Sequence, residues 1–219
     1  MDVLHLYISA PITSFRVSQA REYWETYPCP PPSTVYGMLL SLVGETDRLT
    51  HQGAEIALAM VSEPQRSVVL RTIWHIKDAK VGPGLGKNKR PDFQELLTDI
   101  RLSVWVRRGK NENGKMPLVQ RVGNALQHPD NVSRFGGLSL GESTQLVDEV
   151  RRWRPGDRST GQLLVADGKG DLSLPIWPDH VGSKGTLWGQ FRLEERKDLG
   201  DPGFESLGPA WVSIRPPEN

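Results

Sequence analysis

At 219 residues the chain is large for one domain yet within the single-domain range, and its 37% hydrophobic content suffices for a core while 22 glycines and 17 prolines favour turns over a helical bundle. No run of about 18 apolar residues occurs and no basic segment followed by a long apolar stretch opens the chain, so neither a membrane span nor a secretory signal is expected. A single cysteine, Cys29, excludes an internal disulfide and makes the cytoplasm the expected compartment.

Val3 to Ala10 alternates as a strand, with Leu4, Leu6, Ile8 and Ala10 on one side. Tyr27 to Glu45, Y-P-C-P-P-P-S-T-V-Y-G-M-L-L-S-L-V-G-E, then reads as a proline-locked extended run feeding a helix from Ser33 to Val43. Ser33 or Thr34 is the expected hydroxyl cap, Leu39, Leu40, Leu42 and Val43 the buried stripe, and Gly44 the C-terminal stop. Gly37 weakens the first turn by about 1 kcal/mol against alanine, which suggests that another backbone must come close there. Ordinary strand-to-helix punctuation explains the same residues.

Glu55 to Ser62 and Ser67 to Lys77 read as strands joined by a turn at Glu63 to Arg66, and Ile100 to Arg107 as another. In the second of these, Val68, Leu70, Thr72, Trp74 and Ile76 form an apolar side opposite Arg71, His75 and Lys77. In the third, Ile100, Leu102, Val104 and Val106 oppose Arg101, Ser103, Trp105 and Arg107. A sheet with an apolar face under helices and a basic, partly aromatic outer face suits RNA, and equally suits a half-buried sheet showing charge to water. Between the strands lies Lys77 to Pro91, K-D-A-K-V-G-P-G-L-G-K-N-K-R-P, which suits phosphate tracking and also fits a disordered surface loop. It is no P-loop, because Val81 stands where the first glycine belongs and Asn88 at the Ser/Thr position; Lys89 likewise breaks a dinucleotide fingerprint. Charge concentrates here: residues 64–123 carry 13 Lys or Arg against 5 Asp or Glu, while residues 1–63 carry 3 against 7. Such a block is the footprint of a polyanion site, or a lysine-rich solvated surface.

Pro117 opens a short helix with Leu118, Val122 and Ala125 on one face, closed by His128-Pro129. Arg134 to Ser143 offers backbone amides with little bulk, fitting either a sugar-phosphate chain or a bulged turn. Strand candidates follow at Thr144 to Trp153, Gln162 to Ala166, Thr186 to Leu193 and Ala210 to Ile214. The order is compatible with an α+β, ferredoxin-like (RRM-like) βαββαβ core over 1–153 carrying an inserted basic arm at about 77–99, then a smaller β-rich C-terminal lobe over 154–219.

Catalytic signatures are thin. His5, His51, His75, His128 and His180 show no metal-ligand spacing, and neither Gly-x-Ser-x-Gly nor His-Glu-x-x-His occurs. No metal or cofactor is expected. Cys29 has no cation or helix N-terminus beside it in sequence, which favours a structural thiol.

Three elements in order, Ser14-Phe15-Arg16, the Pro30 to Leu40 turn and helix, and Gly136 to Ser143 (G-G-L-S-L-G-E-S), resemble the fifth CRISPR-associated subunit family, a RAMP-superfamily branch of Cascade-type complexes, nearest its type I-B members. The likeness spans residues 3 to about 153. It implies an RNA-binding subunit that caps the 5′ repeat-derived tag of a guide RNA and joins the backbone filament to the large subunit, with target DNA near the protospacer-adjacent motif as a further possible partner. The residues it assigns to RNA are Ser14, Arg16, Tyr27, Ser33, Thr34, Tyr36, Gly37, Arg71, His75, Lys77, Lys80, Lys87, Lys89, Arg90, Arg134, Gly137, Leu138, Ser139 and Gly141. Members of the type I-C branch cut repeat RNA with a tyrosine, histidine and lysine; the nearest candidates here are Tyr36, His75 and Lys77, and the adjacent Lys-His pair of that branch is absent. A subunit without catalysis is therefore the expectation, with a metal-independent repeat endoribonuclease and a β-rich scaffold for an acidic partner as the alternatives.

Overall fold

A computed structural model describes residues 3–18, 20, 22–179, 181, 185–200 and 204–217. The elements, in chain order, are β1 (Val3–Thr13), β2 (Tyr23–Trp24), α1 (Pro32–Leu42), β3 (Glu55–Met60), β4 (Gln65–Trp74), β5 (Lys89–Arg107), α2 (Leu118–Gln127), β6 (Glu149–Arg152), β7 (Gly161–Ala166), β8 (Leu172–Trp177), β9 (Leu187–Arg196) and β10 (Val212–Ser213). The strands form one large, almost wholly antiparallel sheet with the main order β6-β1-β5-β3-β7-β9-β8. None of the helices among the described residues is long and apolar enough to cross a membrane.

The alternation of β1 puts Leu4, Leu6, Ile8 and Ala10 into the core, in register with Val106, Val104, Leu102 and Ile100 of β5. Over this face lie Val35, Leu39 and Val43 from α1 and its end, with Leu118, Val122 and Ala125 from α2. The expected hydroxyl cap of α1 is absent. The helix starts at Pro32, whose missing N–H costs nothing at the first position, and Ser33 instead donates to the Pro175 carbonyl at 2.8 Å. At the other end Gly44 takes φ +67, and its missing Cβ admits the Ser133 carbonyl against the helix. The helix α2 begins after Pro117 as expected, with its first amide held by the buried Glu112 carboxylate at 2.6 Å.

The opposite face of the sheet is closed as well, which corrects the expectation of an open basic face around Trp105. That indole is fully buried, and His5 is stacked between it and Trp153 at centroid distances of 4.5 and 5.2 Å. Leu199, Leu207 and Ala210 from the C-terminal segment complete the cover. Burial holds the His5 imidazole down to about 4 and pushes the Cys29 thiol up to about 12, consistent with inert, packed side chains.

The segment 154–219 continues the same sheet: β7 pairs with β3 and β9, and β10 pairs with the far end of β3. Sequence alternation did not indicate β8, because Pro175 interrupts it; the strand lies at the sheet's edge, where a missing amide donor is tolerated.

The largest departure from expectation concerns β4. It does not lie under the helices. It pairs with residues 89–98 of β5 to form a hairpin arm, so β5 runs for 19 residues where only Ile100 to Arg107 was expected. The side of β4 expected to be buried is open: Val68, Leu70 and Trp74 are 49%, 64% and 68% exposed, and Ile76 beyond them 76%.

Candidate nucleic-acid interface

The three sequence elements meet at the end of β1. Thr13 Oγ1 donates to the Leu140 carbonyl, and the Gln145 side-chain oxygen accepts from the amides of Ser14 (2.8 Å) and Glu142 (2.9 Å). Gly141 sits inside this knot at φ +101, where a Cβ would fall 2.6 to 2.7 Å from Thr13 Oγ1, Gln145 Oε1 and the Ser14 carbonyl. Only glycine fits there. The glycine element is thus bolted to the strand by a buried glutamine that no local sequence pattern marks.

Around this junction runs the solvent face of α1. Ser33, Thr34, Gly37 and Ser41 share a cleft of about 280 Å3 with Ser139 and Gly141 of the glycine element. Gly37 and Ser41, one helical turn apart, also border a second cleft of about 510 Å3 whose far wall is Ser133, Arg134 and Phe135. Among the described residues no atom lies within 4 Å of where a Cβ on Gly37 would stand. The expectation of a close backbone approach there is therefore not met within the chain, and the bare helix face opens on solvent.

A polar web ties this region to the arm. Arg16 lies over the Trp24 ring at 3.9 Å, and Arg71 approaches the same ring at 5.4 Å. Arg71 donates to Gln94 and, at 3.2 Å, to Glu142; Gln94 donates to Glu142 at 2.8 Å. Arg71, expected to be free for phosphate, is held by a carboxylate of the glycine element.

The arm tip is folded rather than disordered. Asn88 is buried there: its side-chain Oδ1 accepts from the backbone amides of Lys77 and Asp78, both at 2.8 Å, and its Nδ2 donates to the carbonyls of Asp78 (2.8 Å) and Val81 (2.6 Å). Lys77, Lys80, Lys87 and Lys89 are displayed outward around it. Arg90 is less available, since its guanidinium is bonded to the buried Asp92 at 2.8 Å.

Several expected RNA contacts are enclosed. Ser14 and Tyr36 are buried, and the Tyr36 hydroxyl donates to the Arg48 carbonyl at 2.7 Å. Burial raises the Tyr36 pKa well above the ordinary phenol range, followed by the charge of Glu112. Among the described residues no hydrogen bond or ring contact joins Tyr36 to His75 or Lys77, whose backbone amides bond to Asn88 at the arm tip. Tyr27 is half-buried against the core, as is Leu138, and Gly137 lies against the Leu146 side chain. Trp24 and Phe135 are not among the expected contacts, and Glu142 lies within the quoted glycine motif without a role assigned to it; Phe135 carries a local signal of its own, an aromatic set between a cation and two glycines.

No protein-family model matches the chain. The chain is 42% identical over 194 residues to the CRISPR-associated protein Cas5 of Myxococcus xanthus (strain DK1622), covering 88% of this chain and 91% of that protein. A chain titled as a CRISPR RNA-guided surveillance complex has the same fold, with a TM-score of 0.62 at 17% identity over 90% of this chain and 91% of its own. A crystal structure of a Cas protein follows at TM-score 0.52 and 14% identity, over 90% and 96% of the two chains.

Proposed function

This chain belongs to the Cas5 family of CRISPR-associated proteins, and we propose that it is the subunit that holds the 5′ repeat-derived tag of a guide RNA in a surveillance complex. The observation that carries the reading is the meeting of the glycine element, itself tied to Ser14 through Gln145, with the bare face of α1, which offers hydroxyls and backbone but no side chain at Gly37. A sugar-phosphate chain needs such a floor: close backbone approach, hydroxyl donors and few carboxylates. The arm lysines supply the cations, and the exposed Val68, Leu70, Trp74 side supplies an apolar surface for a neighbouring backbone or large subunit. In this reading the core is ferredoxin-like with an inserted arm, supported by the order β6-β1-β5-β3 and by helices placed between β1 and β3 and between β5 and β6. Target DNA is a secondary partner and the cytoplasm the place of action.

The reading has no cleavage step; in its support, Tyr36 is buried with its hydroxyl bonded to the Arg48 carbonyl, while His75 and Lys77 belong to the arm. Incubation with the repeat RNA of its own array in EDTA tests it: binding without cutting supports it, cutting replaces it with the nuclease, and no binding favours an acidic protein partner. Reversing the charge of Lys80, Lys87 and Lys89 should also flatten the log-log salt dependence of RNA binding by about 0.7 for each lost phosphate contact. An unchanged slope would show that the arm does not touch phosphate.

A further inference from the structure

Phe135 is the most exposed aromatic among the described residues, at 101% of its reference area. It stands at the tip of a loop that is fixed on both sides. On one side the Ser133 carbonyl is seated against Gly44; on the other Gly137 abuts Leu146, and the amide of Val147 donates to the Leu138 carbonyl at 2.9 Å. Gly136, at φ +76, turns the chain between these anchors with nothing within 4 Å of its Cβ position. A fixed loop thus presents a bare phenyl ring to solvent, at a free-energy cost that packing within the chain does not offset.

The ring borders the 510 Å3 cleft whose floor is Gly37 and Ser41. Arg134 beside it is exposed and forms no ion pair among the described residues. The one carboxylate of the cleft, Glu45, is bonded to Arg121 at 2.6 Å and to the Asp47 amide at 2.9 Å. These bonds hold its carboxyl below the usual range and satisfy its charge. The cleft therefore presents an unopposed cation, hydroxyls from Ser41, Thr46 and Ser133, a flat glycine floor and one free π face.

We infer that this cleft receives a single unstacked base of the guide RNA, with Phe135 stacking on the base and Arg134 holding the adjoining phosphate. The inference rests on the guide-RNA reading and adds a base-holding subsite to it. A protein anchor offers a weaker account, since apolar insertion does not call for the adjacent free arginine or for a bare floor at Gly37. Aromatic stacking of this kind is tolerant of base identity, so the subsite sets the path of the strand more than its sequence.

The test uses the full chain and its own repeat RNA, with 2-aminopurine placed at each tag position in turn. One position should be quenched on binding by the wild-type protein. Phe135→Ala and Phe135→Leu should both release that quench and weaken binding by roughly 5- to 150-fold, the equivalent of one base–aromatic stack. Phe135→Trp should retain it. The salt slope should stay unchanged in the Phe135 variants and fall by about 0.7 in Arg134→Ala. Wild-type binding with no position altered by Phe135→Ala overturns the inference and leaves the guide-RNA reading standing. Rescue by leucine as well as tryptophan overturns it in favour of an apolar protein contact. Absence of any wild-type RNA binding overturns both.

Discussion

The two halves of β5 share one strand and one alternation, yet they live in different surroundings. Ile100 to Arg107 lies between β1 and β3 and is covered on both faces, by helices on one side and by the C-terminal segment on the other. Lys89 to Thr98 pairs with β4 on one edge, and on the other with the end of β1 and the two-residue β2. Phe93 in this half is open to solvent while Trp105 in the other is sealed. Alternation says which residues share a face; it does not say whether anything covers that face. The core half is finished within the chain. The arm half is left as an apolar and basic surface that nothing among the described residues covers.

The sharpest test of that division is a pair of tryptophans. Trp105→Ala removes a fully buried ring packed on His5 and should cost about 3–5 kcal/mol. Trp74→Ala removes a ring that is mostly exposed and rests on Gly84 at the arm tip, and should cost less than about 1 kcal/mol. Chemical denaturation of the isolated protein reads both. Assembly with neighbouring subunits should show the reverse order per unit of stability lost, with the Trp74 variant impaired although well folded. Equal destabilisation by the two changes would break the comparison.

Gly37 gives a smaller effect with opposite signs in stability and binding. Nothing within the chain occupies the space of its Cβ, so Gly37→Ala should stabilise α1 by about 1 kcal/mol. The same methyl group narrows the floor of both clefts and should weaken RNA binding; Gly37→Val should weaken it further and impair assembly. A variant that is more stable and binds RNA as well as wild type would remove the α1 face from the proposed site.

Much of the helix-covered core was legible in sequence, because its elements carry strong periodicity: the β1 stripe, Leu39 and Leu40 in α1, and Leu118, Val122 and Ala125 in α2. The arm was half legible. Its basic tip stood out by charge, but Val68 to Trp74 mimics a core strand, and only the tertiary path shows that the helices never reach it. The candidate site was legible in its glycines and hydroxyls rather than in its phenols. Tyr36 looks accessible beside Gly37 in sequence, yet it points inward from the helix, whereas Gln145 and Glu142 act through contacts across more than 40 residues that no local pattern records.

The junction between the two halves of β5 offers the finest test. From Met60 to Gln65 the β3–β4 edge advances five positions against four from Thr98 to Leu102 on β5, so the pairing falls out of step by one residue across the β3–β4 connection. Asp99 sits in this stretch at φ +58, and its carboxylate accepts from Arg101 Nε at 2.9 Å. A left-handed backbone at a non-glycine residue costs about 1–2 kcal/mol, and glycine would relieve it. Glycine also gives the unfolded chain more freedom, at roughly 0.5–1 kcal/mol. Loss of the exposed Asp99–Arg101 ion pair adds a cost of under about 1 kcal/mol, so the terms largely offset and Asp99→Gly should change stability by no more than about 1 kcal/mol. Its effect should appear in dynamics instead: amide exchange should quicken at the β4–β5 pairs of the arm while the β1–β5 pairs from Ile100 to Arg107 keep their protection. The core half owes its order to cover on two faces, and the arm half to hairpin pairing set off at this break in register. Equal loss of protection in both halves would show that the strand behaves as a single unit.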